Sequence, residues 1–340
     1  MNWRPPQSWL QITAIDAHTA GEPLRIFTGG YPRLQGDTML AKRRYALEKL
    51  DHLRTATMWE PRGHADMYGC IITEAVTDDG DFGVIFTHNE GYSSMCGHGI
   101  IAVTKVGLET GIIHCQRENN ELRIDTPAGR VTSFARWEGN CVSEVSFFNV
   151  PSFVYTLDQV ATVPGLGEVK YDIAFGGAFY AFVQAEEVGV ELAPAGFRRL
   201  IELGTTIKEA VMNRTVITHP YEEDLSFLYG VIFIGNARKA RHHSRNVCVF
   251  ADGEVDRSPT GTGVSARAAL HFARRELAQG EPFTVESILG TCFTGEVTEV
   301  KNYGPYEAVI PKITGAAHIC GSNTLLIDPE DPLRNGFMLR

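Results

Sequence analysis

Ser94-Met95-Cys96-Gly97-His98-Gly99 has an echo 164 residues later, Ser258-Pro259-Thr260-Gly261-Thr262-Gly263. When one segment is laid over the other, Phe86 meets Phe250, Glu90 meets Glu254, Gly97 meets Gly261, Gly99 meets Gly263 and Ala102 meets Ala266. A short β-rich run precedes each copy, Val84-Ile85-Phe86-Thr87 or Val247-Cys248-Val249-Phe250, and a helix-like run without proline follows. The pattern reads as one strand–loop–helix unit used twice, with Cys96 and Thr260 at matching helix N-termini.

Outward from the first loop, residues 10–15 read as a strand running into Asp16-Ala17-His18-Thr19 and a turn at Gly21-Glu22-Pro23. Asp16 and His18 are expected to satisfy backbone groups of that turn. Asp37 is expected to cap a helix reaching about Leu53, with Leu40, Leu47 and Leu50 inward and Lys42, Arg43 and Arg44 on a solvated face. Strands are predicted over 67–76 and 82–87, joined by Asp78-Asp79-Gly80. The helix from Gly99 to Thr110 is apolar almost all round and therefore belongs inside a core, with Gly111 as its C′ residue. Strands follow over 122–126, 130–136 and 142–150.

Pro151 opens a crossover, and the style repeats. Strands are predicted over 169–174 and 178–183, a helix over 195–213, and strands over 228–234 and 246–250. The second loop leads into a helix over 264–279, with Arg267, Arg274, Arg275 and Glu276 opposite Ala266, Ala269, Leu270 and Ala273. Further strands are expected over 283–287, 292–300 and 308–313, and 323–327 is placed back in the first sheet. Two domains result: residues 8–150 plus 316–340, carrying Cys96, and residues 151–315, carrying Thr260, with the site in the cleft between them. The basic run Arg238 to Arg245, with His242 and His243, reads as a solvated loop rather than a metal site, and no metal is expected.

A chain of 340 residues suits two domains, and 44% hydrophobic with 21% charged residues is ordinary for a soluble globular protein. A net charge of −10 argues against a nucleic-acid partner and gives no attraction to an anionic membrane surface. No apolar run reaches membrane-spanning length, and the opening Met1-Asn2-Trp3-Arg4-Pro5-Pro6 has no apolar h-region, so no signal peptide is expected. Seven cysteines, scattered and without a CxxC pair, point to a reduced, cytoplasmic setting. Most sit in apolar runs, as buried hydrophobes do. Cys96 differs, with Gly, His and Ser as neighbours.

A thiol at a helix N-terminus lies among unpaired backbone N–H groups at the positive end of the macrodipole. Its pKa is expected to fall, leaving part of it as thiolate near neutral pH. The same amides hold a carboxylate, and Gly97 and Gly99 let a ligand approach. Two such loops facing each other would bracket one small amino acid. Two thiols there would racemise it, one removing the α-proton and the other returning a proton. An alcohol such as Thr260 lies too far from neutrality in pKa to serve as that second acid or base. A carbanion made on the Cys96 face and not reprotonated on the other is useful if it expels a leaving group, which is β-elimination.

These motifs resemble those of the proline racemase superfamily. The loops Met95 to Gly99 and Asp256 to Gly263 carry the resemblance. It extends to Ile15 to Arg25, Gly176-Gly177-Ala178-Phe179-Tyr180-Ala181, His243-Ser244-Arg245-Asn246 and Gly336-Phe337, nearly the whole chain. The resemblance implies an α/β (α+β) fold of the diaminopimelate-epimerase type: two pseudo-symmetric domains, each a curved, mostly antiparallel sheet around a central helix. It also implies a homodimer. The family's racemases carry Cys where this chain has Thr260. The branch with Thr is implied to remove water from trans-3-hydroxy-L-proline without a cofactor, giving Δ1-pyrroline-2-carboxylate. By position, Cys96 would accept the α-proton, and Gly97, His98, Asp256, Gly261 and Thr262 would bind substrate. Asp256 would face the ring nitrogen and the loop amides the carboxylate, while Thr260, the second catalytic position, would mainly fill the opposite face and hydrogen-bond. The α-hydrogen and hydroxyl of that substrate share a face, so a syn elimination follows, with Cys96 or His98 protonating the leaving hydroxide. The rivals are a racemase or epimerase of proline or 4-hydroxyproline, and a non-catalytic amino-acid binding protein. Leu228 to Gly235 lacks the His that hydroxyproline epimerases often carry there.

Overall fold

The duplication extends from the two loops to whole halves of the chain. The computed structural model describes residues 3–115 and 120–339; Met1, Asn2 and Arg340 of the segments read above lie outside them. Strand Leu10–Thr19 pairs antiparallel with Glu22–Gly29. A crossover of two helices, α1 (Met39–Lys49) and α2 (Asp51–Met58), then carries the chain to Tyr68–Thr73, parallel to Glu22–Gly29. Phe82–His88 returns antiparallel and leads to the first loop and α3 (Gly97–Thr110). Glu121–Thr126 then runs parallel to Phe82–His88, followed by Gly129–Glu138 and Cys141–Phe148.

The second half runs through the same steps. Gly167–Phe175 pairs with Phe179–Gln184, and the crossover helix α4 (Phe197–Arg214) leads to the parallel strand Leu228–Gly235. Ser244–Phe250 returns antiparallel, and the second loop opens α5 (Gly261–Ala273). Pro282–Glu286 lies parallel to Ser244–Phe250, followed by Cys292–Tyr303 and Tyr306–Gly315. One added strand flanks each set. Ser152–Val163 pairs with Gly167–Phe175, and Ala317–Ile327 pairs with Leu10–Thr19, from Leu10 opposite Ile327 to Thr19 opposite Ala317. The two sheets join where Lys312 faces Phe148.

Each sheet packs around one helix because that helix has no face suited to water. In α3, Ile100, Ile101, Ala102, Val103 and Val106 are fully buried, each larger side chain contributing about 1.5–3 kcal/mol of apolar burial. Its single cation, Lys105, reaches Glu109 at 2.8 Å and the Val142 carbonyl. Gly111 ends the helix in the left-handed conformation at φ 73°, as the sequence predicts. One hydrophobic core runs through both halves and takes in both central helices. A smaller one lies beneath α1 and α2, around Ile12, Phe27, Met39, Met58 and Ile85.

Four readings of polar segments change. Thr38, not Asp37, caps α1, and the helical run breaks at Leu50 into two. Lys42 is buried and donates to Thr73 Oγ1 and the Glu74 carbonyl, while Arg43 donates to the Tyr92 carbonyl, so the basic trio is not a solvated face. α5 ends at Ala273, and Arg267 is buried within it, bonded to Asn246 Oδ1 at 3.0 Å and to His271. The Arg238–Arg245 run is tied down rather than solvated: buried Glu286 accepts from the Arg238 and Lys239 amides, contacts His242 at 2.9 Å and pairs with Arg245. In the last three a long polar side chain is buried and finds a partner far away in sequence, which periodicity cannot register. His18 does bond its turn, accepting from the Gly21 amide at 3.3 Å, whereas Asp16 pairs with Arg25 and Asn323 instead. Among the described residues, no helix is long and apolar enough to cross a membrane.

Candidate active site

The N-termini of α3 and α5 meet head to head. A Cβ built on Gly97 would lie 2.6 Å from Gly261 Cα, and one on Gly261 would lie 2.7 Å from Gly97 Cα, so only glycine fits at both positions. The first-turn amides of both helices have no carbonyl one turn back to bond, which leaves two sets of donors converging on one point. A small buried cavity opens there. Cys96, Gly97, His98 and Tyr68 line it from the first half, and Cys248, Asp256, Thr260, Gly261 and Thr262 from the second. All seven residues singled out from the sequence are thus brought together.

Each loop also grips the opposite half. Ser94 Oγ donates to the Gly177 carbonyl at 2.7 Å, and the Arg257 amide donates to Glu22 Oε2 at 2.7 Å. Tyr180 and Thr262 join hydroxyls at 2.6 Å, and Asn149 Nδ2 donates to both the Gly176 carbonyl and Ser265 Oγ at 2.8 Å. The GEP and GGAFYA motifs are therefore the hairpin corners that hold the loops in register.

Cys96 caps α3 from an extended backbone, and its Sγ accepts the Gly99 amide at 3.2 Å. Its acidity departs from the expectation. Burial pushes the thiol well above its ordinary range, the Gly99 hydrogen bond pulls the other way, and the charge of Asp256 raises it again. Desolvation outweighs the helix N-terminus because the whole side chain is out of water. His98 is also buried, which lowers it to about 3, so it is a neutral ring with Nδ1 3.2 Å from Cys96 Sγ. The resident pair is a neutral thiol beside a neutral imidazole, and a bound cationic substrate would favour the thiolate.

Thr260 differs from Cys96 in backbone as well as in side chain. It sits at φ 66°, ψ 93°, a region that a β-branched residue very rarely enters. Its buried Oγ1 lies beside the Asp256 carboxyl and the Cys248 thiol. The loop is pinned from three sides: Ser258 Oγ accepts the Thr260 amide at 3.1 Å, Asp256 Oδ1 accepts the Ser258 amide at 2.7 Å, and Asn246 Nδ2 donates to the Pro259 carbonyl at 3.1 Å. Strain held this firmly is characteristic of functional positions.

Burial pushes the Asp256 carboxyl up to about 6, against the pull of its bonds to Ser258. Neighbouring Glu22 is pushed up as well, by burial and then by Asp256. A carboxyl whose folded pKa lies above its unfolded value stabilises the fold fully below about pH 4 and loses that contribution as pH rises through about 6. For Asp256 the loss is about 3 kcal/mol. Asp256→Asn is therefore expected to raise Tm at pH 8 by roughly a few degrees and to flatten the fall in Tm between pH 4 and 7. Calorimetry of both proteins over that range checks it, and an unchanged slope would contradict it. Glu22 acts in the same direction, so some slope persists.

Sequence reading missed Tyr68, Cys248, Tyr180, Tyr229 and Phe250, which complete the cavity wall. One signal existed. Tyr68-Gly69 and Tyr229-Gly230 are the same dipeptide at the start of equivalent strands, a second echo of the duplication. Cys248 reads in sequence as a core hydrophobe; it is fully buried, but it also faces the cavity beside Thr260.

Residues 14–338 match the family described as proline racemase. The chain belongs to that family. It is 50% identical over 99% of its length to the trans-3-hydroxy-L-proline dehydratase of Colwellia psychrerythraea, covering 96% of that protein. It is also 50% identical to the protein of that name from Bacillus thuringiensis, over 96% of this chain and 98% of the relative. Among solved structures, a hydroxyproline epimerase from Agrobacterium vitis with bound trans-4-hydroxy-L-proline superposes with a TM-score of 0.91 at 31% identity, covering 100% of this chain and 97% of the other. The fold is accordingly of the diaminopimelate-epimerase type expected from the motifs.

Proposed function

We propose that this chain is a trans-3-hydroxy-L-proline dehydratase, working without a cofactor and giving Δ1-pyrroline-2-carboxylate. The observation that carries the reading is the asymmetry of the two helix N-termini, a thiol at Cys96 facing an alcohol at Thr260 across one small cavity. The substrate carboxylate would sit on the amides of Gly97, His98, Gly261 and Thr262, and its ring ammonium beside Asp256. Cys96 would take the α-proton. Opposite it, Thr260 has no pKa suited to returning one, so the electron pair leaves through the β-carbon and expels the hydroxyl. Relatives of this name at 50% identity over nearly the full length support the same substrate.

The domains we propose are residues 8–150 plus 316–340 and residues 151–315, with substrate held between them. Seven free cysteines are in keeping with a reducing, cytoplasmic setting, and the family resemblance supports a homodimer of the 37.5 kDa chain. The purified protein is expected to convert trans-3-hydroxy-L-proline into a ketimine that gives a coloured adduct with o-aminobenzaldehyde. An epimerase would instead accumulate D-configured, α-deuterated substrate in deuterium oxide. A binding protein would be stabilised by the amino acid without turning it over.

A further inference from the structure

Hydroxide is a poor leaving group, and its departure requires a proton. That proton must arrive on the face from which the α-hydrogen leaves, because the two substituents share it in trans-3-hydroxy-L-proline. Neutral His98 is not an acid at any ordinary pH. Tyr68 stands on the Cys96 side as His98 does, and because burial holds its hydroxyl well above the usual phenol range it keeps a proton to give at neutral pH. It projects from the strand Tyr68–Thr73 of the first half, lines the same cavity as Cys96, and packs edge-on against His98 with ring centroids 4.8 Å apart.

The Tyr68 hydroxyl is not alone. It is hydrogen-bonded to Ser93 Oγ, Ser93 Oγ lies 3.0 Å from the Tyr229 hydroxyl, and the two phenols are 3.4 Å apart. All three residues are buried, and Tyr229 also lines a larger cleft open to solvent between α1 and α4. Three hydroxyls thus run from the reaction cavity to that cleft. The core supplies no reason for them: a phenylalanine would fill either tyrosine's space without burying a polar group.

We propose that Tyr68 is the acid that protonates the departing hydroxyl, with Ser93 and Tyr229 holding its O–H in place. The inference rests on the dehydratase reading. In the step, the Cys96 thiolate forms an S–H bond with the α-hydrogen, and the Cα–H electron pair becomes the Cα=Cβ bond. The Cβ–O bond breaks toward oxygen, which takes the Tyr68 proton and leaves as water. Cys96 then holds the α-proton and Tyr68 is a phenolate. Transfer of that proton from sulfur to the adjacent phenolate oxygen restores both groups, so no outside acid or base is consumed. The enamine tautomerises to the ketimine after release.

The test uses two substrates, trans-3-hydroxy-L-proline and trans-3-fluoro-L-proline. Fluoride needs no proton from an acid of this strength, and its elimination gives the same product. Tyr68→Phe keeps the ring that packs on His98 and removes one oxygen. It is expected to lower kcat for the hydroxy compound by about a hundredfold with little change in KM, and to leave defluorination within about threefold of the parent. Ser93→Ala is expected to show the same selectivity with a smaller loss. Equal losses on both substrates would make Tyr68 a structural residue and overturn the proposal, as would full activity on the hydroxy compound. Should the unaltered protein convert neither substrate, the dehydratase reading itself falls, which is visible before any variant is made.

Discussion

Cys96→Ser is expected to lower the rate of elimination by about a thousandfold, within the range assigned to a positioned acid–base group. The loss does not depend on a preformed thiolate. Burial holds the thiol above its ordinary range, and an alcohol in the same position would start several units higher still. His98 cannot compensate, since burial keeps it a weak base with a pKa near 3. The fold, however, should not suffer. Cys96 caps α3 by accepting the Gly99 amide, and serine is among the best residues for that role. The variant should therefore melt at or above the temperature of the parent, which separates lost chemistry from lost structure. The same reasoning fixes the sign of the pH dependence in the parent. The active base is the deprotonated form of a group whose pKa is raised, so kcat/KM should climb with pH and still be rising past the ordinary thiol range. A Cys96→Ser protein retaining activity within tenfold of the parent would remove Cys96 from the role of base.

How much of this was readable beforehand follows from what each signal depends on. The paired loops, the buried helix α3 and its Gly111 terminus are local patterns, and the sequence carries them openly. Much of the order of strands is legible for the same reason, but Glu22–Gly29 has no strand prediction against it, and Ser152–Val163 reads as the start of a crossover because Pro151 precedes it and the run is mixed in polarity. What stayed hidden depends on distance. Lys42, Arg267 and Arg245 look like solvated charges until the fold brings them Thr73, Asn246 and Glu286. The acidity of Cys96 was misjudged because a helix N-terminus is visible in sequence whereas total burial is not. Tyr68 and Tyr229 fall between these cases. Their Tyr-Gly repeat is local, but its meaning lies in Ser93 between them, and only the folded chain shows that.

Thr260→Cys is expected to open the second face of the substrate, turning a protein that leaves L-proline unchanged into one that releases D-proline with deuterium at the α-carbon. The thiol would stand opposite Cys96 at the start of α5, with Asp256 and the loop amides already in place to hold the ligand. It would also face less backbone resistance, because Thr260 carries a β-branched side chain at φ 66° and cysteine is not branched. Thr260→Gly isolates that resistance. Glycine enters the left-handed region freely, so the variant is expected to be more stable by about 1 kcal/mol despite its looser unfolded chain. It should retain dehydration, because the proton leaves on the other face. The two variants answer different questions. A lack of any D-proline from Thr260→Cys would count against two loops facing one carbon. Complete loss of dehydration in Thr260→Gly would show that the threonine hydroxyl, and not only the space it fills, takes part in the elimination. The expected pattern, a gain of epimerisation in one and a gain of stability in the other, would mean that a strained threonine is kept because it denies the α-carbon a second thiol.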